Sequence, residues 1–226
     1  ADAELRGDVG IAHTRWATHG APSTVNAHPH ESNGIAIVHN GIIENHESLR
    51  DELVEEGYNF LSGTDSEVIA HLIHSLLEKE QSLCKAVISA TTKLDGAFAI
   101  AVVSQAYPGL LIGARSGSPL VVGVGIEEWF IASDQMALRQ VTDRFIFLEE
   151  GDVIEFSALN ATVFDKNGRE VDRALTKLED HDVIAEKAIR GLLNQLDPHL
   201  DEASSTLNAS SSQTFRNIIL PLLKPA

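Results

Sequence analysis

The run His39-Asn40-Gly41-Ile42-Ile43-Glu44-Asn45 holds the residues best suited to chemistry. The apolar stretch Ile35-Ala36-Ile37-Val38 precedes it and reads as a buried strand. A strand that ends in Asn-Gly can offer two donors at one point, the Asn40 carboxamide and the Gly41 backbone N–H. Two donors about 3 Å from a developing alkoxide make an oxyanion hole, which acyl transfer requires. Asn-Gly is also a common tight-turn dipeptide, so the neighbouring segments must choose between the readings.

Arg15-Trp16-Ala17-Thr18-His19-Gly20 follows a second apolar run, Val9–His13, read as a strand. Arg15 there can grip a carboxylate with two parallel hydrogen bonds. Trp16 can wall a pocket and Thr18 can add a hydroxyl. Asp65 stands at a predicted helix start, where it could serve the cap and dipole alone. Together with Arg15 it would supply one group for a carboxylate and one for an ammonium, the needs of the α-carbon end of an amino acid.

Eight of the ten histidines fall between His13 and His74, and His28-Pro29-His30 suggests a metal. The spacings match no zinc signature and no cysteine or paired acid completes a set, so no metal or other cofactor is expected. Hydrogen bonds that hold loops are the expected use of these imidazoles. Cys84 lies beside Leu83 and Val87 on a helical pattern and reads as a core residue, not a reactive thiol. Arg115-Ser116-Gly117-Ser118-Pro119-Leu120 reads as a loop between strands.

The elements that must position these groups are legible in outline. Residues 15–34, rich in Gly, Pro, Ser and Asn, read as a loop. Leu49, Leu53 and Val54 predict a short helix ending near Gly57. Thr64-Asp65-Ser66-Glu67 has capping-box spacing and opens a helix over about 64–80; another covers about 82–93. Seven short apolar segments then read as strands: 98–103, 110–114, 120–124, 129–132, 145–148, 153–156 and 162–164. Lys166-Asn167-Gly168 signals a hairpin. The pattern is α+β. Residues 182–196 could form a helix, and 203–214 are low-complexity and expected to be disordered.

The 226 residues carry a net charge of −16, with mean hydropathy −0.02. The acidity lies almost wholly in residues 1–180, since 181–226 hold five acids and four bases. That balance argues against nucleic acid or an anionic membrane as partner. No apolar run has the ~18–20 residues of a membrane span, no signal peptide opens the chain, and one cysteine suits a reducing cytoplasm. The acceptor-like Asn160-Ala161-Thr162 and Asn208-Ala209-Ser210 are therefore chance matches.

Taken together, R-W-A-T-H-G (15–20), N-A-H-P-H (26–30), H-N-G-I-I-E-N (39–45), T-D-S-E-V (64–68), R-S-G-S-P-L (115–120), I-A-S-D-Q (131–135) and F-L-E-E-G-D (147–152) resemble the glutaminase domains of glucosamine-6-phosphate synthases. The resemblance covers about residues 9–172. It implies a class II, N-terminal-nucleophile amidotransferase domain, a four-layer αββα sandwich lacking its first strands, that hydrolyses L-glutamine. It implies that Asn40 and Gly41 form the oxyanion hole, that Arg15 and Asp65 bind the α-carboxylate and α-ammonium, and that Trp16, Thr18 and His19 line and gate the pocket.

Departures from the family pattern are also plain. The family nucleophile is a cysteine at the first position of the mature chain, its own α-amino group acting as base. Here Ala1 stands first and Cys84 does not align with that cysteine. Nothing beyond about residue 175 resembles the family's sugar-phosphate isomerase domain, through which its members usually oligomerise. The expectation is a partial glutaminase domain over 1–175 with an unmatched tail over 176–226, inactive alone. The alternative is a non-catalytic glutamine-binding or subunit-pairing module.

Overall fold

The computed structural model describes residues 7–14, 20–157 and 160–178. Arg15, Trp16, Thr18 and His19 lie outside these residues, as do the helix expected over 182–196 and the low-complexity stretch at 203–214. The elements below belong to the first of two units into which the chain divides, Ala1–Lys177.

Two antiparallel sheets, three α-helices and a short 3-10 turn at Gln135–Leu138 make up the described fold. The strands are β1 (His30–Ser32), β2 (Ile35–Ile43), β3 (Gly96–Ser104), β4 (Leu111–Ser116), β5 (Val121–Val124), β6 (Trp129–Ala132), β7 (Arg144–Phe147), β8 (Val153–Phe156), β9 (Ala161–Phe164), β10 (Glu170–Val171) and β11 (Leu175–Lys177). The helices are α1 (His46–Glu55), α2 (Ser66–Leu77) and α3 (Leu83–Thr91). The larger sheet runs β1-β2-β3-β4-β8-β9-β10 and the smaller β11-β7-β5-β6. Alternation along the strands sends side chains to opposite faces, and two cores result. Ile35, Ile37, Ile43, Phe98, Ile100, Val102 and Ile112 join Leu49, Leu53, Ile69, Ile73, Leu83 and Val87 of the helices. On the other face, Ala99, Ala101, Ile154 and Phe156 join Leu120, Val122 and Leu148, with Ile131 and Ile146 packed alongside.

All seven strands predicted after residue 96 form, with ends shifted by two residues or fewer. Helix α2 is buried nearly all round, as its apolar run requires of a helix packed between a sheet and two other helices. Val54, expected on the inner face of α1, is instead 54% exposed, and Leu49 and Leu53 alone bury that helix. The expected strand at Val9–His13 does not form, because none of the described strands pairs with it. Ile11 still packs against the second core.

The expected loop over 15–34 contains β1, which pairs with β2 in the register His30 to Ile37. Its turn is Asn33-Gly34, at φ 47° and 82°. Both residues are left-handed, as a two-residue hairpin matching the strand twist requires. At the second hairpin, between β9 and β10, Gly168 alone is left-handed, at φ 72°.

Candidate functional site

Three polar side chains of the 39–45 segment, His39, Asn40 and Asn45, each bond to a different part of the fold. His39 Nδ1 and Ser66 Oγ are 2.9 Å apart, both buried. The Ile43 N–H donates to Asp65 Oδ2 at 2.9 Å. Two adjacent residues at the start of α2 thus hold two positions on β2, both on its helix-facing side. Asn45 closes the segment: its Nδ2 donates to the Lys93 carbonyl and its Oδ1 accepts from the Asp95 N–H.

Asn40 lies between these anchors with its side chain on the opposite face, the side on which Val38 packs against the second core. It is half-buried, and its Oδ1 lies 2.6 Å from His13 Nε2. Gly41 takes φ 126°, a conformation that L side chains rarely adopt. A Cβ there would overlap the Ala97 carbonyl on β3. The Asn-Gly at 40–41 is therefore no turn. It continues the β2–β3 ladder, with Asn40 opposite Ala99 and Gly41 opposite Phe98.

Asp65 arrives on a heavily braced loop. Its own side chain makes no capping hydrogen bond to α2. The capping box is half formed: the Thr64 hydroxyl accepts from the Glu67 N–H at 3.4 Å. Glu67 does not return the bond to Thr64. Its carboxylate reaches further back and accepts from the Leu61 N–H, the Ser62 N–H and the Ser62 hydroxyl at 2.7–2.8 Å. Burial alone would push the Glu67 carboxyl up; these three donors outweigh it and hold the group below the ordinary glutamate range. Arg50 of α1 donates to the Ser62 and Thr64 carbonyls and stacks over Phe60 at 4.2 Å. Asn26 Oδ1 accepts from the Gly63 N–H, and His30 Nε2 lies 3.1 Å from Thr64 Oγ1.

The histidines largely serve as struts of this kind. His46 meets the Ile43 carbonyl, His71 the Ser32 hydroxyl and His74 the Tyr58 hydroxyl. Burial lowers the His71 pKa, although Glu67 at 3.6 Å opposes that shift. No group of three or more His, Cys, Asp or Glu among the described residues could hold a metal ion. Cys84 is buried in the first core, and burial, with Glu155 nearby, pushes its thiol up to about 12. At neutral pH it stays a thiol and offers no nucleophile.

The 115–120 loop and the 147–152 segment hold each other. Glu150 accepts from the Ser116 hydroxyl, the Gly117 N–H and Arg115 Nη2, and Arg115 donates to the Ser118 and Leu148 carbonyls. Gly117 is left-handed at φ 71°, and a Cβ there would come within 2.7 Å of the Ala97 side chain. Ala97 thus has one glycine on either side, Gly41 and Gly117. Asp152, 1% exposed, takes a bidentate pair from Arg173 at 2.7 and 2.8 Å.

Of the residues singled out from sequence, then, Asn40 and Gly41 lie near the C-terminal end of β2, and the Asp65 carboxylate reaches the Ile43 N–H at that same strand end. Of the braces, Glu67 was expected to complete a capping box and His13 and His30 to hold loops, whereas Asn26 and Arg50 carried no individual expectation. Asn26 and His30 lie inside the N-A-H-P-H motif; Arg50 left no mark beyond being a cation in a helix.

Comparison with known proteins places these motifs. Residues 13–140 match the family description "Glutamine amidotransferase domain". The chain is 53% identical over 188 residues to the glutamine--fructose-6-phosphate aminotransferase [isomerizing] of Pseudomonas putida, covering 83% of this chain and 31% of that protein. It is 57% identical over 169 residues to the Escherichia coli K12 protein of the same name, covering 75% and 28%. The chain thus spans about a third or less of the length of these relatives. Among solved structures, the glutamine phosphoribosylpyrophosphate amidotransferase of B. subtilis matches with a TM-score of 0.54 at 23% identity, over 74% of this chain and 34% of that one. At that identity the likeness is one of fold.

Proposed function

The chain belongs to the family of class II glutamine amidotransferase domains, and on that premise we propose that it is the glutamine-binding half of a glutamine–fructose-6-phosphate aminotransferase. Asn40 Nδ2 and the Gly41 N–H would receive the amide oxygen of L-glutamine and hold it as it becomes an oxyanion. Asp65 would take the α-ammonium and Arg15 the α-carboxylate, with Trp16, Thr18 and His19 around them. Gly41 and Ile43 stand two residues, about 7 Å, apart on one strand. That spacing suits a ligand whose reacting amide and ammonium are separated by a single side chain. The four-layer αββα arrangement of N-terminal-nucleophile hydrolases is part of this proposal, as is a 1–175 domain boundary. So is the parent reaction, which passes ammonia from glutamine to fructose 6-phosphate.

The observation that carries the reading is that Asn40 and Gly41 lie at the end of β2 whose Ile43 N–H the Asp65 carboxylate holds. Hydrolysis also needs a nucleophile to attack the amide carbon and a proton for the departing ammonia. Cys84 is the one cysteine in the sequence and is buried as a thiol. We therefore propose that these 226 residues bind glutamine without turning it over. Calorimetry with L-glutamine, beside an ammonia-release assay, tests this. Binding that Asn40→Ala and Asp65→Asn weaken, with no ammonia, is the expected result. Absence of binding overturns the glutamine site, and ammonia release abolished by Asn40→Ala overturns the claim of inactivity.

A further inference from the structure

We propose that His13 is a positioning residue that sets the direction of the Asn40 carboxamide, donating from Nε2 to Asn40 Oδ1 so that Nδ2 is left to face the ligand; the catalytic meaning of this rests on the reading of Asn40 given above. A carboxamide has two nearly isosteric ends of opposite character. One accepts only and the other donates only, and the torsion that exchanges them is broad and roughly two-fold. Turned one way, Asn40 would stabilise an oxyanion; turned the other, it would present an oxygen lone pair and repel it. The strand backbone cannot choose between the two, because both have the same shape. A neighbour with a defined donor can.

His13 is that neighbour. Its Nε2 lies 2.6 Å from Asn40 Oδ1, and since Oδ1 can only accept, the imidazole must carry a proton on Nε2. Asn40 Nδ2 hydrogen-bonds to no described residue, so the end released by His13 is the donor end. The His13 ring is itself confined. The His28 ring lies against it at 4.2 Å between centroids, and His30 meets His28 edge-on at 4.9 Å. His30 in turn reaches Thr64, next to Asp65. Two residues before His13, Ile11 packs against the second core. The row of imidazoles thus links the Asn40 amide to the loop that carries Asp65.

Nuclear magnetic resonance on the 226-residue chain labelled with 15N in histidine and asparagine decides the matter without any turnover. The 15N shifts of His13 should show the Nε2–H tautomer. An Nδ1–H tautomer overturns the proposal, because Nε2 would then accept and Asn40 would be turned the other way. The Asn40 side-chain amide resonances should move and exchange faster in His13→Ala, and His13→Gln, whose carboxamide can still donate, should restore them. Amide resonances unaltered in a folded His13→Ala protein also overturn it. If His13→Ala does not fold, the wild-type tautomer and His13→Gln still decide. Titration with L-glutamine should show about tenfold weaker binding for His13→Ala and near-normal binding for His13→Gln. Should the wild-type chain bind no glutamine, the functional reading fails, while the tautomer and amide measurements still judge the positioning role.

Discussion

At the scale of single residues, Gly41 is the position least open to change. Its φ of 126° and the carbonyl of Ala97 both exclude a side chain. Gly41→Ala is expected to lose more than about 2 kcal/mol of stability, from backbone strain and displacement of β3 together. Urea unfolding reads this directly; a midpoint like that of the wild type would mean that β3 yields freely. Asn40, half-buried, is different. Asn40→Ala should cost little stability, so the same urea experiment separates a proposed site residue from a fold residue one position apart. The dipeptide Asn-Gly occurs three times, at 33–34, 40–41 and 167–168. Two are hairpin turns and the one of chemical interest lies within a strand, so the dipeptide alone did not disclose its use. Its neighbours in sequence did.

Among elements, the 115–120 loop shows how an exposed residue can order a segment. Glu150 is 62% exposed, yet it accepts from three donors of that loop. An exposed carboxylate contributes little to global stability, so Glu150→Gln should cost no more than about 1 kcal/mol. Its local effect should be larger: hydrogen exchange at the Gly117 amide should speed up severalfold while that of β3 does not. Unchanged exchange at Gly117 would mean that the left-handed turn holds itself. The start of α2 makes a related point. Thr64-Asp65-Ser66-Glu67 was readable as a helix start, and a helix does start there. That Glu67 would turn to the 61–62 backbone, leaving Asp65 to receive the Ile43 N–H, was not readable. Both partners lie outside the local window on which the capping rule rests.

At the scale of the whole molecule, Asp152 and Glu67 are carboxylates held inside the fold. Arg173, from the segment between β10 and β11, neutralises Asp152 at the start of β8. Arg173→Ala would leave that buried carboxylate with one remaining donor, the Glu149 N–H, and should destabilise the fold by about 2 kcal/mol or more. A loss under half of that would show that water reaches Asp152. Acid should act through Glu67 and His71. The Glu67 pKa is lowered on folding, so its contribution is full above the ordinary value of 4.5 and is lost as pH falls through the folded value. The His71 pKa is also lowered, from 6.5, so the unfolded chain takes up that proton first and stability declines as pH drops below about 6.5. The melting temperature should be flat between about pH 6.5 and 8 and fall below that range. Glu67→Gln should flatten the lower part of the decline, and a midpoint unchanged down to pH 4 would refute the assignment.

Local order and the family were determined by the sequence itself. Strand and helix periodicity fixes most of the buried side chains, and residues 13–140 carry the family match. Residues 9–13 were misread as a strand: the run pairs with none of the described strands, and Val9, Gly10 and Ala12 are exposed. β1 was missed because its three residues are too few to display a period. What only the tertiary structure decided is which groups face one another across long stretches of chain. Examples are His13 on Asn40, 27 residues apart, Asp65 on Ile43, 22 apart, and Asn26 on Gly63, 37 apart. Hydrogen bonds need ångström-scale proximity and leave no period in the sequence, so their partners become known only when sheet register and helix packing bring them together.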